Sequence, residues 1–474
     1  MQTNNIVSPP MIACALSICF CIYFLTPSPG YGLSIGEERE FGEELLYTMK
    51  RHYHIFDQLD IVQYFDTLGK EILTKSGPQF FNYKFIIVES QEFNAFAAPS
   101  GLIFLYSGLL DKIENENELT SVMAHEIGHV TNRHIAERLE QNKKINAITM
   151  ALALAGLAAG DPSLSQGIFT GVMAGGQTMS LSYSRQHEEE ADRYSYDLMK
   201  SLHRNPAAME KMLEIMQRIV RYRSDQIPQY LLTHPNPEQR LVYIQSLLDF
   251  DSQRQTLADY NPVNNLPFIR IKYRIRVTSD ETTKNRDYFL AKLAGAAGND
   301  ERMLAKYGLA LLDAKERNFT KALSTLDIIR STYPNWNIIL ADIALVYEQA
   351  GQQTEALKLL RMAENKDPND MYITFNLARL QAKNSMNQEA KNLFMKVIDQ
   401  FPYNTKVYYE LGRLESHNGT KGNTMYYLGK HYMLEGRFKL AQHNLQQAVN
   451  DSTTDDNYRE DAKELLKLEK HLNN

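Results

Sequence analysis

The C-terminal half of the sequence repeats itself with a period of 34 residues. Two columns of alanine and one column of proline recur in phase, so three independent positions define the same period. The columns are Ala310, Ala344 and Ala378; Ala322, Ala356 and Ala390; and Pro334, Pro368 and Pro402. The intervening sequence has helical character, and a single unit of this length cannot bury its own apolar face. The period therefore predicts helical units that stack into an α-solenoid.

This register resembles the tetratricopeptide repeat, in which small residues let two antiparallel helices pack closely and a proline closes the unit. In the fourth unit Gly412 falls on the first column, and Gly419–Gly422 is expected to interrupt the second helix. The spacing resumes with Gly429, Ala441 and Ala448. The resemblance implies a concave surface that binds peptides or partner proteins. A purely structural spacer is the alternative.

The N-terminal segment predicts export. The first 36 residues contain no Asp, Glu, Lys or Arg, and residues 11–25 form an apolar run of signal-peptide length. We therefore predict a signal over residues 1–32. An uncleaved anchor is the alternative, although a bilayer-spanning helix needs about 20 apolar residues. All three cysteines lie in this segment, so the remaining chain has no disulfides, which is typical of a bacterial envelope protein with a large core.

The overall composition excludes some functions. With 474 residues, of which 43% are hydrophobic, the chain is long enough for two or three domains. Its net charge of -6 offers no basic excess for binding a phosphate backbone, so nucleic acid is not expected as a partner.

The segment before the repeats mixes helices with a few strands. Residues 37–75 show helical periodicity, and residues 85–88 and 102–106 read as strands, with a turn at Pro99-Ser100-Gly101 between them. One helix is expected from Asn115, a good N-cap, to Asn142.

The stretch from Ile145 to Leu181 is almost uncharged. It predicts either a buried hairpin or a mobile cover for a cleft. Neither half of it is long enough to span a bilayer.

The chemistry-bearing motif is His125-Glu126-Ile127-Gly128-His129. On a helix, His125 and His129 project from one face about 6 Å apart, so both imidazoles reach one tetrahedral zinc ion. Glu126 lies beside that face, where it can take a proton from a water molecule that zinc has made more acidic. The motif therefore predicts a zinc hydrolase that still needs a third protein ligand.

The third ligand is expected from a later helix. A metzincin would have glycine at 132 and histidine at 135, where this chain has Asn132 and Ile135, and His134 is out of register. The helical run from Ser184 to Asp192 supplies three consecutive glutamates, Glu188, Glu189 and Glu190. Spacing alone does not choose among them. Chemistry favours Glu188, because Asp192 lies four residues on and can accept a hydrogen bond from a ligating histidine.

The histidine motif, followed by Glu188-x-x-Ala191-Asp192, resembles the zinc peptidase family that includes HtpX, the Oma-type proteases and the CAAX prenyl endopeptidases. The resemblance implies that Glu188 is the third ligand of one Zn²⁺ per chain. Asn94, Ala95, Phe96 and Ala97, with Pro99-x-Gly101, resemble the strand beside the family's active-site cleft, which implies substrate binding. Ser100 stands where glycine is usual. The expected fold is mainly α, with a gluzincin-type α+β metalloprotease domain and its small β-sheet at 33–260, a linker and first repeat helix at 261–300, and tetratricopeptide repeats at 301–470.

The segment Thr233-His234-Pro235-Asn236-Pro237-Glu238-Gln239-Arg240 resembles one found in periplasmic, repeat-bearing members of this family. The resemblance implies that His234 regulates the site. A neutral histidine in front of a helix can ligate metal, so we predict that His234 caps the zinc at rest and leaves on activation. For Arg240, stabilisation of the oxyanion and pairing with a carboxylate are both open.

A signal, such a peptidase domain and a repeat array together resemble the periplasmic, repeat-bearing members of this family. The resemblance implies a periplasmic endopeptidase for quality control and assembly of outer-membrane β-barrel proteins. The implied partners are misfolded or stalled outer-membrane proteins and the β-barrel assembly machinery, with peripheral membrane contact at the outer membrane. The alternative is a periplasmic chaperone or adaptor whose repeats hold unfolded clients with little or no proteolysis. Glu126 argues against it, because a purely structural zinc site needs no such residue.

Overall fold

The computed structural model describes residues 34–141, 182–222, 229–252, 260–279 and 281–473. The predicted signal at 1–32 and the uncharged segment at 145–181 lie outside these residues. None of the helices in the described ranges combines the length and the apolar composition that a bilayer crossing requires.

Two helices and a three-stranded sheet open the described chain. Ser34 caps α1 in a reciprocal capping box with Glu37. The sheet has the order β1-β3-β2, with β1 parallel and β2 antiparallel to β3, so β2 is an edge strand. Its turn to β3 contains Ser100 and Gly101, both in the left-handed region at φ 68° and 77°. The elements are α1 Ile35–His52, α2 Leu59–Leu73, β1 Lys84–Val88, β2 Ala95–Ala98 and β3 Leu102–Tyr106.

Helices complete the first half of the chain. They are α3 Ser107–Lys112, α4 Glu116–Thr131, α5 His134–Gln141, α6 Arg185–Ser201, α7 Ala207–Tyr222, α8 Gln229–Thr233 and α9 Pro237–Ser252. Helix α4 lies in the middle of this part and packs against α6, α7 and β2.

The single helix expected over residues 115–142 is two helices. Asn115 caps α4 as predicted, since its side chain accepts the backbone N–H of Glu118. The chain turns at Asn132 and Arg133, where Arg133 adopts a φ of 57°, and α5 then begins at His134. A non-glycine residue in the left-handed region ends a helix, so α4 cannot continue through this point.

Consecutive antiparallel helices make up the second half of the chain. They are α10 Leu266–Thr278, α11 Thr282–Ala294, α12 Asn299–Lys315, α13 Phe319–Thr332, α14 Ile338–Gln349, α15 Gln353–Lys366, α16 Met371–Lys383, α17 Asn387–Gln400, α18 Thr405–Asn418, α19 Lys421–Leu434, α20 Phe438–Asn450 and α21 Asp456–Asn473. The alanines of both sequence columns are fully buried between these helices. The predicted fold class, mainly α with a small sheet and a repeat solenoid, is confirmed.

The expected break within a helix at Gly419–Gly422 is wrong. Gly419 ends α18 and Lys421 begins α19, so the turn between two complete helices lies at Gly419 and Thr420, and Gly422 belongs to α19. Helix α19 carries Gly429, and a Cβ there would lie 2.7 Å from the Leu445 side chain of α20. Helix α18 packs on α19 in the same way, since a Cβ on Gly412 would lie 2.9 Å from the Leu428 side chain. Helix α19 begins 34 residues after Asn387, the first residue of α17, so it keeps the period of the repeats as the second helix of this unit.

The repeat helices pack on the first half of the chain through polar contacts. The Met371 backbone N–H donates to Gln63 Oε1 at 2.8 Å, and Thr405 Oγ1 donates to Asp57 Oδ2 at 2.8 Å. Lys50 Nζ donates to the Leu434 carbonyl at 2.7 Å, and burial lowers its pKa to about 8. Part of the surface that a solenoid offers to partners is therefore used within this chain.

Candidate metal centre and active site

Two helices meet at the site because small residues let their backbones approach. A Cβ on Gly128 in α4 would lie 3.3 Å from Ala191 Cα in α6. Ser195 Oγ of α6 also donates to the Ser121 carbonyl of α4 at 3.0 Å. This close packing brings Glu188, near the start of α6, against the histidines of α4.

The four side chains that converge are His125, His129, Glu188 and His234. One ligand atom from each lies within 4.8 Å of every other, and all four side chains are buried. His125 Nε2 lies 3.5 Å from Glu188 Oε2, and His129 Nε2 lies 3.5 Å from Glu188 Oε1. Two imidazoles and a carboxylate in this arrangement form a donor set that suits a tetrahedral Zn²⁺.

The charges of these groups follow from burial and from their neighbours. Burial raises the pKa of Glu188, but the charges of Arg240 and His234 outweigh it and hold that pKa well below its usual value. Burial keeps the pKa of His129 well below its ordinary value. An ionised carboxylate and a neutral imidazole are the forms that bind a metal.

His125 differs, because it lies between two carboxylates. Burial lowers its pKa, but hydrogen bonds to Asp192 and Glu188 outweigh burial and raise that pKa to about 9. Its Nδ1 lies 3.0 Å from Asp192 Oδ1, which leaves Nε2 toward the other donors. Metal binding at Nε2 would therefore release a proton.

Glu126 lies beside the donor set with both carboxylate oxygens buried and without a hydrogen-bond partner among the described residues. Oε1 lies 3.5 Å from His234 Nε2, which also has no hydrogen-bond partner in the described chain. A buried carboxylate without partners costs free energy unless a bound group satisfies it. This unsatisfied pair fits a site that holds a metal ion with its water.

Arg240, on α9, is paired with carboxylates. Its Nε and one terminal nitrogen bind both oxygens of Asp192, at 2.8 and 2.7 Å, and its other terminal nitrogen lies 2.7 Å from Glu188 Oε2. Of the two roles that the sequence left open, this geometry shows the carboxylate pairing directly. The guanidinium still lies next to the donor atoms, 3.4 Å from His125 Nε2.

His234 follows α8 and precedes α9, and its side chain points into the donor set. Its Nδ1 lies 2.9 Å from Glu188 Oε1 and 3.4 Å from His125 Nε2. The ring stacks on Tyr230 at 4.3 Å, and the Tyr183 backbone N–H binds the neighbouring Thr233 carbonyl at 2.8 Å. The histidine is thus fixed in place by aromatic and backbone contacts.

The residues predicted to bind substrate lie in and next to edge strand β2. Ala95, Phe96 and Ala97 pair with β3 through one side of the strand, and Asn94 precedes it. Strand β2 also packs against α4 and α8, which carry or adjoin the site histidines. The structure therefore brings this strand to the side of the donor set.

Sequence reasoning missed one histidine at the site. His134, rejected as a ligand because it is out of register, has its Nδ1 2.9 Å from His129 Nδ1. It reaches that position because the chain turns between α4 and α5. The left-handed Arg133 that makes the turn leaves no recognisable pattern in the sequence.

The model of peptidase family M48 matches residues 63–248, which include α4, α6 and most of α9. The chain carries an M48 peptidase domain. This match confirms the resemblance drawn from the two motifs. It identifies the domain as a metallopeptidase domain of a family for which zinc is the expected metal.

Three relatives illustrate the similarity to known proteins. The β-barrel assembly-enhancing protease of Escherichia coli K12 is 30% identical over 344 residues, covering 69% of this chain and 66% of that protein. Metalloprotease LoiP of the same organism is 32% identical over 170 residues, covering 36% of this chain and 64% of that protein. Mitochondrial metalloendopeptidase OMA1 of Schizosaccharomyces pombe is 27% identical over 196 residues, covering 41% and 56%. The chain thus spans slightly less than two thirds of the first relative.

Proposed function

We propose that this chain is a zinc-dependent endopeptidase whose metal is held by His125, His129 and Glu188. The observation that carries the proposal is the buried donor set with the unpartnered Glu126 carboxylate beside it. A purely structural zinc site has no need for a buried carboxylate base beside its ligands. The M48 match over the same residues supports the proposal independently.

Each side chain has a role that its position supports. Bound zinc supplies Lewis acidity, which polarises the scissile carbonyl and lowers the pKa of water. Glu126 accepts the proton of the attacking water and passes it to the leaving amine. Asp192 holds the Nδ1 proton of His125 and so orients that ligand. Arg240 neutralises Asp192 and Glu188, and it lies close enough to the donor atoms to stabilise developing negative charge.

We propose that edge strand β2 aligns the substrate. An extended peptide can add to a free strand edge through main-chain hydrogen bonds, with little demand on its sequence. Asn94 to Ala97 lie beside the donor set at the edge of the sheet. They are buried in this structure, so this edge must be uncovered before a peptide can add to it. This mode suits a protease for unfolded or incompletely folded chains, since only these present an extended segment.

We further propose that the protease acts in the bacterial periplasm on misfolded or stalled outer-membrane β-barrel proteins, and that the repeats recruit these clients or the assembly machinery. The support is the similarity to the β-barrel assembly-enhancing protease across both the peptidase region and part of the repeats. A repeat array also supplies surfaces that bind proteins.

Metal removal tests the enzymatic proposal. Stripping the full chain with 1,10-phenanthroline should abolish cleavage of unfolded casein, and one equivalent of Zn²⁺ per chain should restore it. The physical reason is that Glu126 alone is a weak base toward bulk water. Metal content from plasma emission and gel-based cleavage rates give the measurement. Undiminished cleavage by the stripped protein would rule out a metallopeptidase.

His234 provides a second test, because we propose that it caps the metal in a resting state. The variant His234→Ala should cleave casein faster than the unchanged chain. If about a tenth of the resting molecules are open, the rise should be about tenfold. The control is His417→Ala, which alters an exposed histidine of the repeats. Full activity of the unchanged chain, equal to that of His234→Ala, would contradict the capping role.

A further inference from the structure

The Nδ1 atoms of the two motif histidines, on the side of each ring away from the proposed metal, contact different partners. His125 Nδ1 lies 3.0 Å from the buried carboxylate of Asp192. His129 Nδ1 contacts no carboxylate within the described part of the chain and lies 2.9 Å from His134 Nδ1 instead. His134 in turn has its Nε2 3.0 Å from Glu190 Oε2. A chain of three side chains thus runs from a proposed metal ligand to the protein surface.

The protons along this chain are fixed once His129 binds metal. A ligating Nε2 carries no proton, so the neutral His129 ring carries its proton on Nδ1 and must donate it. His134 Nδ1 can accept that hydrogen bond only if its own proton is on Nε2. That proton then points at Glu190 Oε2, which accepts it. One arrangement satisfies all three groups.

The ring of His134 is held rigidly enough to direct His129. It is 1% exposed and stacks on His187, with 4.3 Å between ring centroids and 16° between planes. His187 Nε2 lies 3.1 Å from Glu137 Oε2, which ties α6 to α5. The ring of Tyr183 stacks on the ring of His129, with 3.8 Å between the ring centroids. Packing therefore fixes both rings of the histidine pair.

We infer that His134, supported by Glu190, is a positioning residue that orients ligand His129 and holds its tautomer; the inference rests on the proposed zinc site. His134 is not itself a ligand, because the nitrogen nearest the site is occupied by His129. The three consecutive glutamates thereby divide their roles. Glu188 joins the donor set, Glu190 supports His134, and Glu189 is exposed.

The experiment measures zinc retention by the full chain. Zinc-loaded protein is mixed with excess 4-(2-pyridylazo)resorcinol, and the release rate and competition affinity are recorded. His134→Ala should weaken zinc affinity by about 10- to 100-fold, as loss of a supporting partner of a ligand does. Glu190→Gln should weaken it less, because the amide oxygen still accepts a hydrogen bond but carries no charge. The matched control Glu189→Gln should equal the unchanged chain.

Two further measurements separate positioning from ligation and from misfolding. Cobalt-substituted His134→Ala should keep the visible spectrum of the unchanged chain, because the ligand set is the same, whereas Glu188→Ala should alter it. His134→Gln should recover most of the affinity, since its amide can accept from His129 and donate to Glu190. Far-ultraviolet circular dichroism checks that each variant is folded.

The outcomes are distinct. Equal zinc affinity in the unchanged chain, His134→Ala and Glu190→Gln would overturn the inference while leaving the proposed function intact. A cobalt spectrum of His134→Ala that matches that of Glu188→Ala would overturn it by making His134 a ligand. Failure of the unchanged chain to bind zinc would overturn the proposed function first.

Discussion

Replacing Glu126 with glutamine is expected to lower the rate of peptide cleavage by about 10²- to 10⁴-fold, the usual contribution of a positioned general base. Glutamine has nearly the same shape, so the packing around α4 is retained, but its amide cannot accept a proton. Glu126 is fully buried and its oxygens have no partner among the described residues, so the loss concerns the base and not a structural contact. The measurement is the turnover of casein at saturating substrate.

The control for this variant is Glu189→Gln, an exposed glutamate on α6. It should cleave at the rate of the unchanged chain. Glu126→Gln should still bind one zinc ion, since Glu126 is not among the donor residues. It should also still bind unfolded clients, which would separate recruitment from cleavage. If casein disappears equally fast with Glu126→Gln, the chain is not a protease that uses this base. That result would favour the alternative of a chaperone or adaptor.

The sequence predicted those parts of the site that depend on fixed spacing along one helix. His125 and His129 share a face of α4 because they lie four residues apart, and the structure places them so. The choice of Glu188 over Glu189 and Glu190 was not available from spacing, and chemistry favoured it only modestly. Glu188 reaches the site because the contact between Gly128 and Ala191 sets which face of α6 meets α4.

The parts that could not be predicted depend on tertiary contacts. His134 is out of register with the metzincin pattern, which would place its third histidine at 135. Nothing in the sequence indicated the turn at Arg133 that folds His134 back onto His129. Strand β2 is buried at every position, so it has no alternation of polar and apolar residues, and only the family resemblance indicated a strand there. The repeat columns predicted the regular units, but the glycines at 419 and 422 suggested a break within a helix that the structure does not have.

The contacts that the linker before the repeats makes could not be predicted from its sequence. Helix α10 lies in the range predicted as linker and first repeat helix, and its charged residues would ordinarily lie in solvent. Instead Arg270 is 3% exposed, between the first half of the chain and the repeats. It binds Asp60 of α2 at 3.1 Å and Asp342 of α14 through two hydrogen bonds, at 2.8 and 2.6 Å. Arg274 contacts the same two aspartates.

Replacing Arg270 with methionine is expected to lower the free energy of unfolding by about 3–5 kcal/mol, since it leaves an uncompensated buried charge. Two arginines balance two aspartates in the cluster, so the variant has one carboxylate in excess. Burial raises the pKa of Asp342, but the Arg270 charge outweighs it and keeps that pKa below its ordinary value. The stabilisation is therefore present above the ordinary aspartate pKa of 3.8 and is lost as the pH falls through the lowered pKa of the folded state.

Urea unfolding at neutral pH, followed by circular dichroism, measures this loss, and an exposed ion pair provides the matched control. Arg330 binds Asp327 at 3.0 Å with both side chains 42% exposed, so Arg330→Met should cost no more than about 1 kcal/mol. Adding Asp60→Asn to Arg270→Met restores the charge balance and should recover part of the stability, because Arg274 still pairs with Asp342. If Arg270→Met costs no more than Arg330→Met, the cluster is not what couples the repeats to the peptidase domain. A large loss that the double variant partly reverses would instead mean that the charges of the linker helix hold the two halves of the chain in one arrangement.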